Sequence, residues 1–154
     1  MDSVPPLDTE RVLALLPQGQ FVMTSQFDGR RAGVLVRWVC ACADEPLLIS
    51  VSLRKGHWIS PMIRDSRTFA VCRLESTDRL AAKKFAETNR ANDGDPFDCM
   101  AVTRLVSGAP VLVRSSLCLD CEVVRHIDLE ADFELFIGKV LASNDQAIPA
   151  AGTA

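Results

Sequence analysis

The sequence predicts a mainly β fold (α+β), a barrel of about eight strands with two or three short helices inserted into it. Short β-rich runs recur along the chain between Gly, Pro, Asn and Asp punctuation. Phe27-Asp28-Gly29-Arg30 carries the Asp-Gly signal of a tight hairpin. Helical spacing is confined to a few short stretches. No internal repeat or interdomain linker interrupts the 154 residues, so 1–154 reads as one domain with its core over about 8–142.

In order, Asp8-Thr9-Glu10-Arg11-Val12-Leu13-Ala14-Leu15-Leu16 reads as a capped helix stopped by Pro17 and Gly19. Residues 20–25 form a strand, and after the hairpin turn a β-rich run covers 32–42 and ends at Asp44-Glu45-Pro46. Leu47-Leu48-Ile49-Ser50-Val51-Ser52 is the strongest strand, too apolar throughout for an exposed edge. Residues 58–65 suit a short helix with Pro61 in its first turn, and 68–74 a strand. The clearest helix is 77–90, where Leu80, Ala81, Lys84 and Phe85 recur at helical spacing and Ser76 or Thr77 serves as N-cap. A loop over 91–96 leads to strands at 100–105, 110–113, 117–124 and 133–141, and the tail 143–154 reads as flexible.

With 17 basic and 20 acidic side chains, the formal net charge is -3. That argues against a nucleic acid as main partner, because a phosphate backbone requires a basic footprint. No apolar run approaches the roughly 18 residues of a membrane-spanning helix. The N-terminus lacks the basic-then-apolar build of a signal peptide, so the expected location is the cytoplasm.

Six cysteines are present, at 40, 42, 72, 99, 118 and 121. Cys118-Leu-Asp-Cys121 has CxxC spacing, but no second Cys or His pair answers it, and on a strand the two thiols point to opposite faces. The expectation is buried, reduced thiols and no metal.

Conventional acid–base machinery is thin: no Gly-x-Ser-x-Gly elbow, no phosphate-binding glycine loop, no tyrosine, and no evident partners for His57 and His126. One segment stands out. Directly after the strongest strand come Ser52-Leu53-Arg54-Lys55-Gly56-His57 and then Ser60. Arg54 offers a planar fork of donors, Lys55 a point charge, and Gly56 close backbone approach. Ser60 and the first amides of the next helix would add donors, making a site for a phosphate monoester. The alternative is an ordinary solvated basic turn. A second segment, Val36-Arg37-Trp38-Val39, sets a cation beside an aromatic ring, and composition does not choose between core and ligand roles for Trp38.

The succession Gly33-Val34-Leu35-Val36-Arg37-Trp38-Val39, Asp44-Glu45-Pro46-Leu47, Val51-Ser52-Leu53-Arg54-Lys55-Gly56-His57, Gly108-Ala109-Pro110 and Leu135-Phe136-Ile137-Gly138 resembles the flavin reductase-like family of FMN-binding split barrels, which includes flavoredoxin. The likeness runs in unbroken order over roughly residues 20–142 and implies a Greek-key-like split barrel. It implies a homodimer with one FMN per subunit near the dimer interface. Arg37-Trp38-Val39 and the preceding Val36 would lie against the isoalloxazine. Ser52, Leu53, Arg54 and Lys55 would follow the ribityl chain to the phosphate, with His57 and Ser60 close by. NADH or NADPH would be the electron donor, and a partner monooxygenase one taker of the reduced flavin. Three departures are visible: Leu35-Val36-Arg37 where the family often has Thr-x-Ser, Ile59 where it usually has Thr, and Phe133 where NADH-using members often carry His. The last leaves two functions open, an NAD(P)H:flavin oxidoreductase, or a non-catalytic FMN protein for electron carriage, storage or sensing.

Overall fold

The computed structural model describes residues 3–145. Its elements are α1 (Thr9–Leu15), β1 (Phe21–Phe27), β2 (Arg30–Val36), β3 (Val39–Asp44), β4 (Leu47–Arg54), α2 (Ile59–Ser66), β5 (Thr68–Arg73), α3 (Arg79–Lys84), β6 (Val102–Thr103), β7 (Val111–Leu112), β8 (Leu117–Asp128) and β9 (Phe133–Asp145). Seven strands form one antiparallel sheet in the order β2-β1-β5-β8-β9-β4-β3, and β6 pairs with β7 separately.

The hairpin forms where the sequence signals it. Asp28 and Gly29 both take positive φ, 53° and 75°, which gives the turn the twist of its flanking strands. Asp8 caps α1 by accepting from the Arg11 N–H at 3.3 Å. The run over 32–42, expected as continuous, is instead broken at Arg37-Trp38. The Arg37 carbonyl accepts from Gly19 N–H at 3.0 Å and the Trp38 carbonyl from Ser52 N–H at 3.1 Å, outside any ladder. Since β2 and β3 are the two ends of the sheet order, this two-residue link is where the curled sheet meets itself.

The helix expected over 77–90 shrinks to α3. Asp78, not Ser76 or Thr77, is its N-cap, and the Asn89 amide donates to the Lys83 and Lys84 carbonyls at 3.2 and 2.7 Å, closing the C-terminus. The next carbonyl, of Phe85, accepts from Leu35 N–H at 2.7 Å. Leu80 is exposed, whereas Ala81 and Phe85 are buried. The strands expected at 100–105 and 110–113 reduce to the two-residue β6 and β7, and β8 and β9 run longer than expected, β9 carrying the ladder through 143–145. Residues 146–154 of the expected tail lie outside the described residues.

Two apolar clusters flank the sheet. One fills the barrel with Met23, Val34, Val51, Ile63, Phe69 and Phe136, closed at one mouth by α2. The other lies against the opposite face of β1 and β5, with Val22, Ala70, Phe85, Phe97 and Leu112. β1 and β5 are therefore buried on both faces, while β4 alternates buried with half-buried residues. Each fully buried Phe contributes about 1.5–3 kcal/mol by transfer from water. Cys72, Cys118 and Cys121 are buried as expected, but Cys40, Cys42 and Cys99 are exposed. Cys118 belongs to the second cluster and Cys121 to the barrel interior, so the CxxC thiols do face opposite sides. Among the described residues no group of side chains suits a metal ion, and no helix is long and apolar enough to cross a membrane.

Candidate functional site

The segment from Arg54 to Trp58 leaves β4 and enters α2, with Gly56 at φ 93°, a backbone that favours glycine. Around it the fold assembles two cavities that share Arg54 and Glu87. A cavity of about 440 Å³ is lined by Lys55, Gly56, His57 and residues 87–91. A narrow crevice is lined by Val36, Arg37, Trp38, Ser52, Arg54 and Phe133. Two separate sequence segments, 36–38 and 52–57, therefore meet in one place.

Register explains the meeting. Arg54 stands opposite Phe133 in the β4–β9 ladder, and Ser52 opposite Leu135, so all four project from the outer sheet face. Phe133 is half-buried there with Leu135 and Ile137, not in the barrel core. Its ring lies 4.8 Å from that of Trp38, and the Arg54 guanidinium sits over it at 4.7 Å. The Arg37 guanidinium covers Trp38 at 4.9 Å. Val36 and Leu53 turn their side chains into the barrel and Val39 packs against it, so these three have only backbone to offer a ligand.

The cations are already partnered. Arg54 pairs with Glu87 at 3.0 Å and Asp132 at 3.5 Å, and Lys55 pairs with Asp128. That lysine, with the Glu130 backbone N–H, holds the Asp128 carboxyl below its usual value. His57 is pushed below the ordinary imidazole value by burial, with Glu87 pulling weakly the other way. Its Nδ1 accepts from the Ile59 N–H at 3.0 Å, so the neutral ring carries its proton on Nε2. The Ser60 N–H bonds the His57 carbonyl at 3.2 Å. The first helical amides, expected as anion donors, are thus engaged by His57 itself.

Ser60 turns elsewhere. Its hydroxyl donates to Glu134 Oε1 at 2.9 Å, and His126 Nε2 meets the same oxygen at 2.6 Å. This group lines a different cavity of about 480 Å³ with Lys55 and His57. His126 therefore has a carboxylate partner that sequence spacing did not reveal. Because the hydroxyl bonds the carboxylate rather than the imidazole, the trio is not an activated serine. Glu87, Asp132, Glu134 and Trp58 were also missed. Trp58 adjoins the flagged turn, a signal that was there to be used, whereas the acids sit 33 to 80 positions from their partners with no local mark.

The sequence matches the flavin reductase like domain over residues 13–148. An NADPH-flavin oxidoreductase of Streptomyces viridifaciens is 36% identical over 128 residues, covering 82% of this chain. The chain spans 66% of that protein's length and about a fifth of the putative diflavin flavoproteins it also matches. Among solved structures, an NADH:FAD oxidoreductase of Streptomyces globisporus C-1027 superposes with TM-score 0.80 at 25% identity, covering 94% of this chain and 87% of that one. Flavoredoxin of Methanosarcina acetivorans superposes with TM-score 0.80 at 16% identity, covering 96% and 77%, and so bears out the split-barrel fold.

Proposed function

This chain belongs to the flavin reductase like family, and from that premise we propose that it is an FMN-binding NAD(P)H:flavin oxidoreductase. The observation that carries the proposal is the convergence of 36–38 with 52–57 at cavities sharing Arg54 and Glu87. The donor set fits a flavin mononucleotide: an aromatic wall of Trp38 and Phe133 beside cations for a dianion. When bound, the flavin supplies the hydride acceptor and the route for electrons onward, while the protein supplies binding and charge.

Arg37 and Trp38 have their carbonyls occupied, which leaves the N–H groups of 36–39 for the ring edge. The Arg37 guanidinium brings positive charge beside that edge, the recognised way to tune a flavin. Ser52 and Leu53 line the path to Arg54, Lys55 and the Nε2–H of His57, which bind the phosphate in exchange for Glu87, Asp132 and Asp128. Exposed ion pairs are worth about 0–1 kcal/mol, so that exchange costs little. Ser60 acts from behind, tying α2 to β9 through Glu134.

The whole chain, 1–154, works as one domain in the cytoplasm, as a homodimer. The outer faces of β8 and β9 support the dimer, with Ile127, Leu135 and Ile137 incompletely covered, as does α1, which buries no residue. A partner monooxygenase is one taker of the reduced flavin. A second reading, FMN binding without hydride transfer, is favoured by Phe133, whose ring has no hydrogen-bond donor to place a nicotinamide. FMN titration followed by anaerobic mixing with NADH or NADPH tests both. Tight FMN with no bleaching of the flavin bands selects the second reading, and no FMN binding removes both.

A further inference from the structure

Across the 54–58 turn from the flavin cleft lies a separate cavity of about 540 Å³ around Trp58, which the mechanism above does not use. The Arg30 guanidinium sits 5.7 Å from the centroid of the Trp58 ring. Arg104 lines the same cavity and donates to Gln26 Oε1 at 2.8 Å, a neutral acceptor. Among the described residues neither arginine has a carboxylate partner. Arg31 contrasts with them, being held by Asp95 at 2.7 Å and Asp98 at 3.7 Å. An adjoining cavity of about 320 Å³ shares Trp58 and Asp95 and adds Lys83, Lys84 and Arg90, also without ion pairs, against Asp93. In a chain of net charge -3, cations outnumber acids here, and their charge is uncancelled.

An aromatic ring beside uncancelled arginines suits a ligand with a π-face and a phosphate group: the ring takes the base and the planar guanidinium takes the phosphate oxygens in pairs. We infer that the Trp58 cleft binds the adenosine 5′-diphosphate portion of a dinucleotide, Trp58 stacking the purine and Arg30 and Arg104 holding the phosphates. The inference rests on the proposed function for its biological occupant, since both NAD(P)H and FAD carry that portion. The cleft shares Trp58 and Ala91 with the 440 Å³ cavity, so one dinucleotide can reach from it towards the flavin site.

The test is isothermal titration of 5′-ADP into the full chain, the Arg30→Ala/Arg104→Ala variant and Trp58→Phe, with FMN titrated in parallel. Both arginines project from the surface, so their removal leaves folding intact. The expected result is 5′-ADP binding that weakens about tenfold or more in the double variant, is largely kept by Trp58→Phe, and leaves FMN affinity unchanged. No 5′-ADP binding by the unmodified chain, or equal binding by the double variant, overturns the inference. If 5′-ADP binds as expected and FMN does not, the proposed flavin chemistry falls while the nucleotide site stands. The source is separated by two further readings on the double variant. A raised KM for NADPH at unchanged kcat assigns the cleft to the electron donor, and weakened FAD at unchanged KM assigns it to FAD. If neither moves, the cleft holds no dinucleotide.

Discussion

Trp38 and Trp58 stand at two sides of the same turn, and the cations beside them are in opposite states. On the Trp38 side Arg54 is shared by Glu87 and Asp132, and Lys55 is taken by Asp128. On the Trp58 side Arg30 touches only the ring and Arg104 only a neutral amide. The difference teaches that a cation's availability is set by what the fold brings opposite it. Arg54-Lys55 looks anion-ready in sequence, yet a ligand must displace carboxylates there, whereas at Trp58 it need not. A site whose cations are pre-neutralised carries little standing repulsion and releases its partners to a dianion, which suits a site that discriminates by charge.

The largest expected effect breaks the first side alone. Arg54→Ala combined with Lys55→Ala leaves Glu87, Asp132 and Asp128 unopposed near the phosphate, so FMN should bind at least about tenfold more weakly. Riboflavin and 5′-ADP should change less than about twofold. Calorimetry with all three ligands checks this, and equal losses for FMN and riboflavin would mean that the pair does not contact phosphate.

Phe133→His tests the wall between Trp38 and Arg54. Since the side chain is half-buried on the outer face, an imidazole is accommodated there with only a small change in melting temperature. Anaerobic flavin reduction by NADH should quicken several-fold while FMN affinity holds. A native rate equal to or above that of the variant would remove Phe133 from the account of donor use.

Glu87→Gln sharpens the comparison from the other direction, by making Arg54 resemble Arg30. The Arg54–Glu87 pair is exposed, about 49% and 42% at the two side chains, so it is worth no more than about 1 kcal/mol. FMN should therefore bind about 2- to 5-fold more tightly, read by fluorescence titration. Weaker binding would show that Glu87 orients Arg54 rather than competing for it.

The smallest effect is that of pH on His57. Burial lowers its value in the folded state, so the unfolded chain takes up protons first as pH falls below the ordinary imidazole value near 6.5. Stability is then fully present above that pH and declines below it. The melting temperature should fall between pH 7.5 and 5.5, and His57→Gln should make that decline shallower; an unchanged slope would mean that the ring is not desolvated.

Much of this molecule was determined by its sequence alone. The Asp8 cap, the Asp28-Gly29 turn, the strand over 47–52 and the order of segments are local matters, decided by side-chain caps, positive φ and apolar runs that neighbours in sequence supply. The cluster at 52–57 was legible for the same reason. What tertiary structure decided is where local preference met a distant partner. The break at Arg37-Trp38 exists because Gly19 and Ser52 claim its carbonyls, and the helix over 77–90 stops because Asn89 and Leu35 claim its last ones. Partners such as Glu87 for Arg54 and Glu134 for Ser60 and His126 come together only through β-sheet register and loop closure. Charge pairing acts over a few ångströms in space and is indifferent to distance along the chain, so the sequence could name the cations but not which of them the fold leaves uncancelled.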